Sequence, residues 1–212
     1  MDNFQLERYI MASLKKNIIN SNESNYDRYH HNTDYNCALS ILNHGILSIK
    51  TQNDLNISNI SNNRLKLLDD TTSHINGIEG ISLSATGLCD LYPDEEEYNP
   101  KNPNYIDFII SSKIKAIRHT EHYGNEYISY NDIKVSKIKA VDFRLIKLIE
   151  KTKNKDDKFY SDLIDKYNIL LKTAKHIKDN NLKVKMREMS NKTILDVNKI
   201  SAMPILKNID KN

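Results

Sequence analysis

The chain contains no tryptophan and, across 212 residues, only five glycines, four prolines and two cysteines. The cysteines, Cys37 and Cys89, cannot make a disulfide framework, and no Cys-x-x-Cys pair or zinc-type spacing surrounds them. A reducing compartment is therefore the expectation. No apolar run is long enough to span a bilayer. Glu7, Arg8, Lys15 and Lys16 interrupt the apolar residues of the N-terminal segment, which excludes the continuous core of a cleaved signal peptide. Neither sign of charge dominates: 31 basic and 28 acidic residues leave a net +3, too balanced to argue for nucleic acid from charge alone. Several catalytic signatures are also missing. There is no Gly-x-Gly-x-x-Gly after a strand, no phosphate-binding loop, no Gly-x-Ser-x-Gly elbow and no His-Glu-x-x-His. His119, Glu121 and His122 have no third ligand nearby, so no metal is expected. The run Asp94-Glu95-Glu96-Glu97 reads as a solvated loop.

What is present is a globular composition, 39% hydrophobic and 28% charged, large enough to bury a core without a staple. Leu6, Ile10, Leu14 and Ile18 repeat every four positions and predict a helix over 4–19. A polar linker covers 20–26. A strand over 27–31 leads through Thr33 or Asp34, suited to an N-cap, into a helix over 35–44 that Gly45 stops. Ile46–Ile49 reads as a short extended piece. Residues 50–80 and 87–104 read as long loops, the second holding three of the four prolines. Between them Ile81 and Leu83 alternate with Ser82 and Ser84, a strand pattern. Further strands are predicted at 105–110, 113–118, 126–130 and within 133–143. From about 144 the pattern turns helical: Phe159, Leu163, Tyr167, Leu170, Ala174 and Ile177 form one stripe, and a last helical piece covers 182–190. Strands following one another with little helix between them argue for an α+β fold rather than a doubly wound parallel sheet.

Three segments carry candidate chemistry. Adjacent strand residues point to opposite faces, so only one of His30 and His31 can face a given pocket. The spacing to Thr33 favours His31. Ser82 and Ser84 share a face, where small hydroxyls let a ligand approach the backbone. Glu126 starts a strand among Tyr123, Tyr127 and Tyr130. A fixed carboxylate can stabilise an oxocarbenium-like centre as a sugar loses its base, and can hold a hydroxyl or position a nucleophile. Taken alone, each segment also reads blandly: a surface corner, a half-exposed strand and a strand-initial glutamate.

In this order, His31-x-Thr33, Ala38-Leu39-Ser40-Ile41-Leu42-Asn43-His44-Gly45, Ser82-Leu83-Ser84 and Asn125-Glu126-Tyr127-Ile128-Ser129-Tyr130 resemble the ADP-ribosyltransferases. The likeness is to the His-bearing branch that includes poly(ADP-ribose) polymerases and some bacterial toxins, and it covers 27–143. It implies a split, two-sheet β core holding NAD in a cleft. Residues 1–26 then form an N-terminal helix and linker, and 144–212 a helical C-terminal extension. It also implies His31, Thr33, Ser82, Ser84 and Tyr92 against NAD, Glu126 as the catalytic residue, and transfer of ADP-ribose to a protein or nucleic-acid acceptor. NAD is the substrate in this reading, with neither a metal nor a membrane involved. Gly124 stands where arginine-modifying members carry a first glutamate, which argues against arginine as acceptor. By analogy a small enzyme of this kind is a toxin or effector, cytoplasmic or translocated into a target cell. Two rivals stand beside it. One is an NAD-dependent RNA 2′-phosphotransferase on the same fold, whose two-Arg, two-His pattern is not evident here, although Arg64 and Arg118 invite misreading as its relatives. The other is a non-catalytic binding protein that docks through Lys166, Lys172, Lys175, Lys178, Lys183 and Lys185.

Overall fold

A computed structural model describes residues 1–20, 28–57, 80–85, 105–118, 126–188 and 193–207. The chain begins with α1 (Asn3–Lys16), whose start is fixed by a capping box: the Asp2 side chain accepts from the Gln5 N–H, and Gln5 accepts from the Asp2 N–H. Then come β1 (Ile18–Asn20), β2 (Arg28–Asp34), a 3-10 turn (Tyr35–Cys37), α2 (Ala38–His44), α3 (Ile49–Asp54), β3 (Ile81–Ser84), β4 (Tyr105–Ser111), β5 (Ile117–Arg118), β6 (Glu126–Ser129) and β7 (Ile138–Asp142). The C-terminal third holds α4 (Leu145–Lys151), α5 (Asp157–Asp179), β8 (Lys185–Arg187), β9 (Thr193–Leu195) and α6 (Val197–Ser201). No described helix is long and apolar enough to cross a membrane.

The strands join one open sheet in the order β1-β9-β8-β7-β4-β2-β3-β6-β5, antiparallel throughout except for β7–β8. Helices and a mostly antiparallel sheet make this a mixed α and β fold, as the strand spacing predicts. The parallel β7–β8 pair needs a crossover, and α4 with α5 supplies it. Two separate sheets are not what the ladders form among the described residues. The sheet is continuous, but β2 and β3 share only the register pair His30↔Ser84 there. β2 meanwhile stays paired with β4 from Arg28↔Ser111 to Asp34↔Tyr105. Beyond His30, β2 follows β4 and leaves β3, which makes a seam in the sheet.

The C-terminal segment is not only helical. Val184, Met186 and Leu195 are buried, and residues 185–187 pair with β7 instead of extending a helix over 182–190. Ile46 likewise makes a single bridge to Ile133, and α3 starts at Ile49 where extended chain was expected. Gly45 ends α2 at φ 88°, and a β-carbon there would lie 2.2 Å from the Ile133 carbonyl oxygen. Only glycine suits both constraints.

The main core lies on one face of the sheet. In one cross-strand row His31, Phe108, Val141, Met186 and Leu195 follow one another through the registers, all but His31 buried. Leu6, Ile10 and Leu14 of α1, Leu42 of α2, and Phe159, Leu163, Tyr167 and Leu170 of α5 pack against that face in one continuous cluster. Between α1 and α4, Lys15 pairs with Glu150 at 2.8 Å. Lys155 and the Tyr160 hydroxyl both donate to Glu7, at 2.8 and 2.9 Å.

Candidate functional site

The three segments singled out in the sequence occupy three neighbouring strands, β2, β3 and β6. Ser84 lies opposite His30 on one side and opposite Glu126 on the other. Directly opposed residues share a face, so His30 and Ser84 lie together on the face away from the main core, and the Glu126 backbone takes the next register position beyond Ser84. Ser82 stands two positions along on that face and is exposed. Tyr29, His31 and Thr33 alternate to the other face.

The seam modifies this simple alternation for His31. Where β2 leaves β3, the His31 ring meets the Ser82 carbonyl, with Nδ1 3.0 Å from the oxygen. A carbonyl only accepts, so Nδ1 carries a hydrogen, and Nε2 of the neutral ring is an acceptor. The ring stands in place of the main-chain ladder that ends there. Thr33 is buried at 4% exposure and closes the strand against the core rather than lining an open surface. Tyr127 packs against Tyr29 with the rings tilted by 60° and their centroids 5.1 Å apart, and Tyr130 is exposed. Tyr92, like Arg64, Cys89 and His119 to Tyr123, lies outside the described residues. The structure therefore sets the strands of His31, Ser82, Ser84 and Glu126 side by side, with His31 meeting Ser82 at the seam and Thr33 buried in the core.

A second group of residues went unread in the sequence. Asn32, Asp107, Asp142 and Arg187 lie opposite one another across β2, β4, β7 and β8, in a row on the same face as Ser84. His30 Nδ1 reaches Asp107 Oδ2 at 2.7 Å, and Arg144 Nη2 reaches the same oxygen at 3.5 Å. Arg144 Nε and Arg187 Nη2 lie 3.9 and 4.0 Å from Asp142 Oδ2. Two carboxylates directly across a ladder repel, so the two guanidiniums are what make burial of Asp107 and Asp142 tolerable. Burial still raises the Asp142 carboxyl above its ordinary value, and the facing Arg144 and Arg187 oppose that shift. Arg144 sits at φ 55°, a strained conformation for a side chain, at the turn that carries β7 into α4. Beside it, buried Glu188 accepts from the Ile146 N–H at 2.6 Å and caps the start of α4. Burial pushes Glu188 up to about 8, so it holds its proton near neutral pH.

A signal for this cluster did exist. Asp107 and Asp142 each interrupt an apolar strand run just before a phenylalanine, in Ile106-Asp107-Phe108 and Val141-Asp142-Phe143. A lone acid in a buried run demands a partner. Which partner it finds is a tertiary fact. Among the described residues no group of three or more His, Cys, Asp or Glu is arranged to hold a metal ion. Lys166, read from sequence as a docking lysine, is buried at 3% exposure beside the Tyr35 ring, its Nζ 5.8 Å from the centroid. It shares a helix side with Leu163 and Leu170, three and four positions away.

Comparison of the chain with protein-family models, with curated proteins and with solved structures found no match.

Proposed function

We propose that this protein is a mono-ADP-ribosyltransferase that moves ADP-ribose from NAD to an acceptor, on a core of the ADP-ribosyltransferase type. The observation that carries the reading is the adjacency of β2, β3 and β6. The His-x-Thr, Ser-x-Ser and glutamate segments, scattered over 100 positions of sequence, become side-by-side strands with Ser84 opposite Glu126. Chance resemblance of three short segments does not require them to meet. The reading has the ligand approach main-chain groups at the seam, where the β2–β3 ladder ends.

In this reading His31 lies against the ribose and amide side of NAD, its ring oriented by the Ser82 carbonyl. Ser82 and Ser84 leave room for the sugar and nicotinamide. Glu126 offers negative charge to the oxocarbenium-like centre that forms as nicotinamide departs. A residue supplying such charge typically contributes about 10²–10³ in rate. Incubation of purified protein with labelled NAD and a whole-cell lysate, beside Glu126→Gln, tests the reading. Label transfer or nicotinamide release that falls by at least 10²-fold in a folded Glu126→Gln protein is expected. Equal turnover by the two proteins sinks it.

A further inference from the structure

We propose that His30, oriented by Asp107, is the proton acceptor for the incoming nucleophile, and that this nucleophile is a hydroxyl. The inference rests on the ADP-ribosyl-transfer reading above and adds a base and an acceptor class to it.

Sequence spacing favours His31 and leaves its neighbour aside. Geometry gives His30 a different and complementary place. It shares a face with Ser84, and Ser84 is in turn the register partner of Glu126 on the next strand. Its Nδ1 is committed to Asp107, 2.7 Å away, and a carboxylate only accepts, so Nδ1 carries the hydrogen. Nε2 of the neutral ring is then a lone-pair acceptor. The ring is 12% exposed while Asp107 is 2% exposed, so the orienting carboxylate is sealed and the imidazole is within reach of solvent. A buried carboxylate that fixes the tautomer and an imidazole that faces the site make the arrangement general-base catalysis uses. The charged groups around the ring are Asp107 on β4, Arg144 from the β7–α4 turn against the same Asp107 oxygen, and Asp142 beyond it on β7. Arg144 holds Asp107 in place.

The step balances without any further reagent. The bond between ribose C1′ and the nicotinamide nitrogen breaks, and nicotinamide leaves with the electron pair as a neutral base. The acceptor oxygen forms its bond to C1′. Its proton passes to His30 Nε2, and Asp107 stabilises the resulting imidazolium. Glu126 is thereby left to the oxocarbenium charge alone. A nucleophile that needs a base arrives protonated. That selects a hydroxyl over a carboxylate, which is already ionised at neutral pH.

The test uses the whole chain with NAD, water serving as the simplest hydroxyl acceptor and lysate supplying larger ones. His30→Ala is expected to lose about 10²–10⁴-fold in turnover with NAD affinity unchanged. His30→Gly is expected to recover activity with added imidazole, and the acid limb of the wild-type pH–rate profile is expected to vanish in His30→Asn. Transferred ADP-ribose is expected to survive neutral hydroxylamine, which cleaves the ester that a carboxylate acceptor would form. Nitrogen NMR of the free protein reads the tautomer without any turnover, and hydrogen on Nε2 of neutral His30 overturns the assignment. Active wild type with an equally active His30→Ala overturns this proposal alone, whereas wild type that neither binds nor turns over NAD overturns the parent reading and this one with it.

Discussion

Glu188 and Lys166 are buried ionisable side chains whose effects on stability fall in separate pH windows. Glu188 is pushed up to about 8 in the fold from an ordinary 4.5, so the folded chain holds that proton longer than the unfolded chain. Its contribution is therefore best below 4.5 and is lost as pH rises toward 8. Glu188→Gln keeps an oxygen for the Ile146 N–H and removes the charge. Urea denaturation from pH 5 to 8 is expected to show a falling midpoint in the wild type and a flatter one in the variant. Lys166 runs the other way. Burial lowers it to about 8 from 10.5, and Asp162 and Asp165 oppose the shift only in part. The ammonium form costs the fold fully below 8, and stability is recovered as pH rises toward 10.5. Lys166→Met is expected to stabilise the protein by about 1–3 kcal/mol at pH 7, with the gain shrinking by pH 10. Gly45→Ala combines a positive φ with a clash on main-chain oxygen, and is expected to cost about 2–4 kcal/mol in the same assay. The glycine was visible in the sequence as a helix stop. The Ile133 carbonyl that forbids a side chain was not, because it comes from a bridge nearly ninety positions away.

At the scale of elements, legibility followed local chemistry. α1, α2 and α5 were readable from their apolar stripes, although the helix expected over 4–19 stops at Lys16 because Ile18 and Ile19 pair with β9, and neither Thr33 nor Asp34 caps α2, which starts at Ala38 after a 3-10 turn. Asp156 accepts from the Phe159 N–H at 2.8 Å at the head of α5, and Asp156→Ala is expected to cost about 1 kcal/mol in thermal denaturation. β3 was readable from Gly80 and four alternating residues, and its predicted bounds are the observed ones. β8 and β9 were not. Three-residue strands have no period to detect, and Lys185-Met186-Arg187 is as compatible with a helix as with a strand until β7 lies beside it. The strand predicted over 113–118 shrinks to Ile117 and Arg118 because only those residues find a partner in β6. The candidate site divides in the same way. His31, Ser82, Ser84 and Glu126 could be named from motif order. Asp107, Asp142, Arg144 and Arg187 could not be joined, since each pairs with residues from another strand or turn and nothing in its own segment says which.

For the whole molecule, the sheet is assembled from both directions of the chain. The central ladder β2–β4–β7 uses residues from the first two thirds, and so do the strands that carry the candidate site. The outer end of the sheet is built differently. β1, the first described strand, pairs with β9, the last, and β9 reaches the rest of the sheet only through β8. The main chain at Asn17 also accepts from the Asp196 N–H, fastening the same two ends together. This closure has a consequence in time. During synthesis β1 has no ladder partner until β9 has been made, and contacts of such long sequence separation form late. The strands of the seam can meet before that. Amide exchange in the finished protein is expected to reflect the order, with Ile18 and Ile19 opening ahead of Phe108 and Ile109. A nascent chain halted before residue 193 would carry the seam with its last edge still open. The strands of the candidate site all precede β9, and the outer edge of the sheet closes only once β9 is in place.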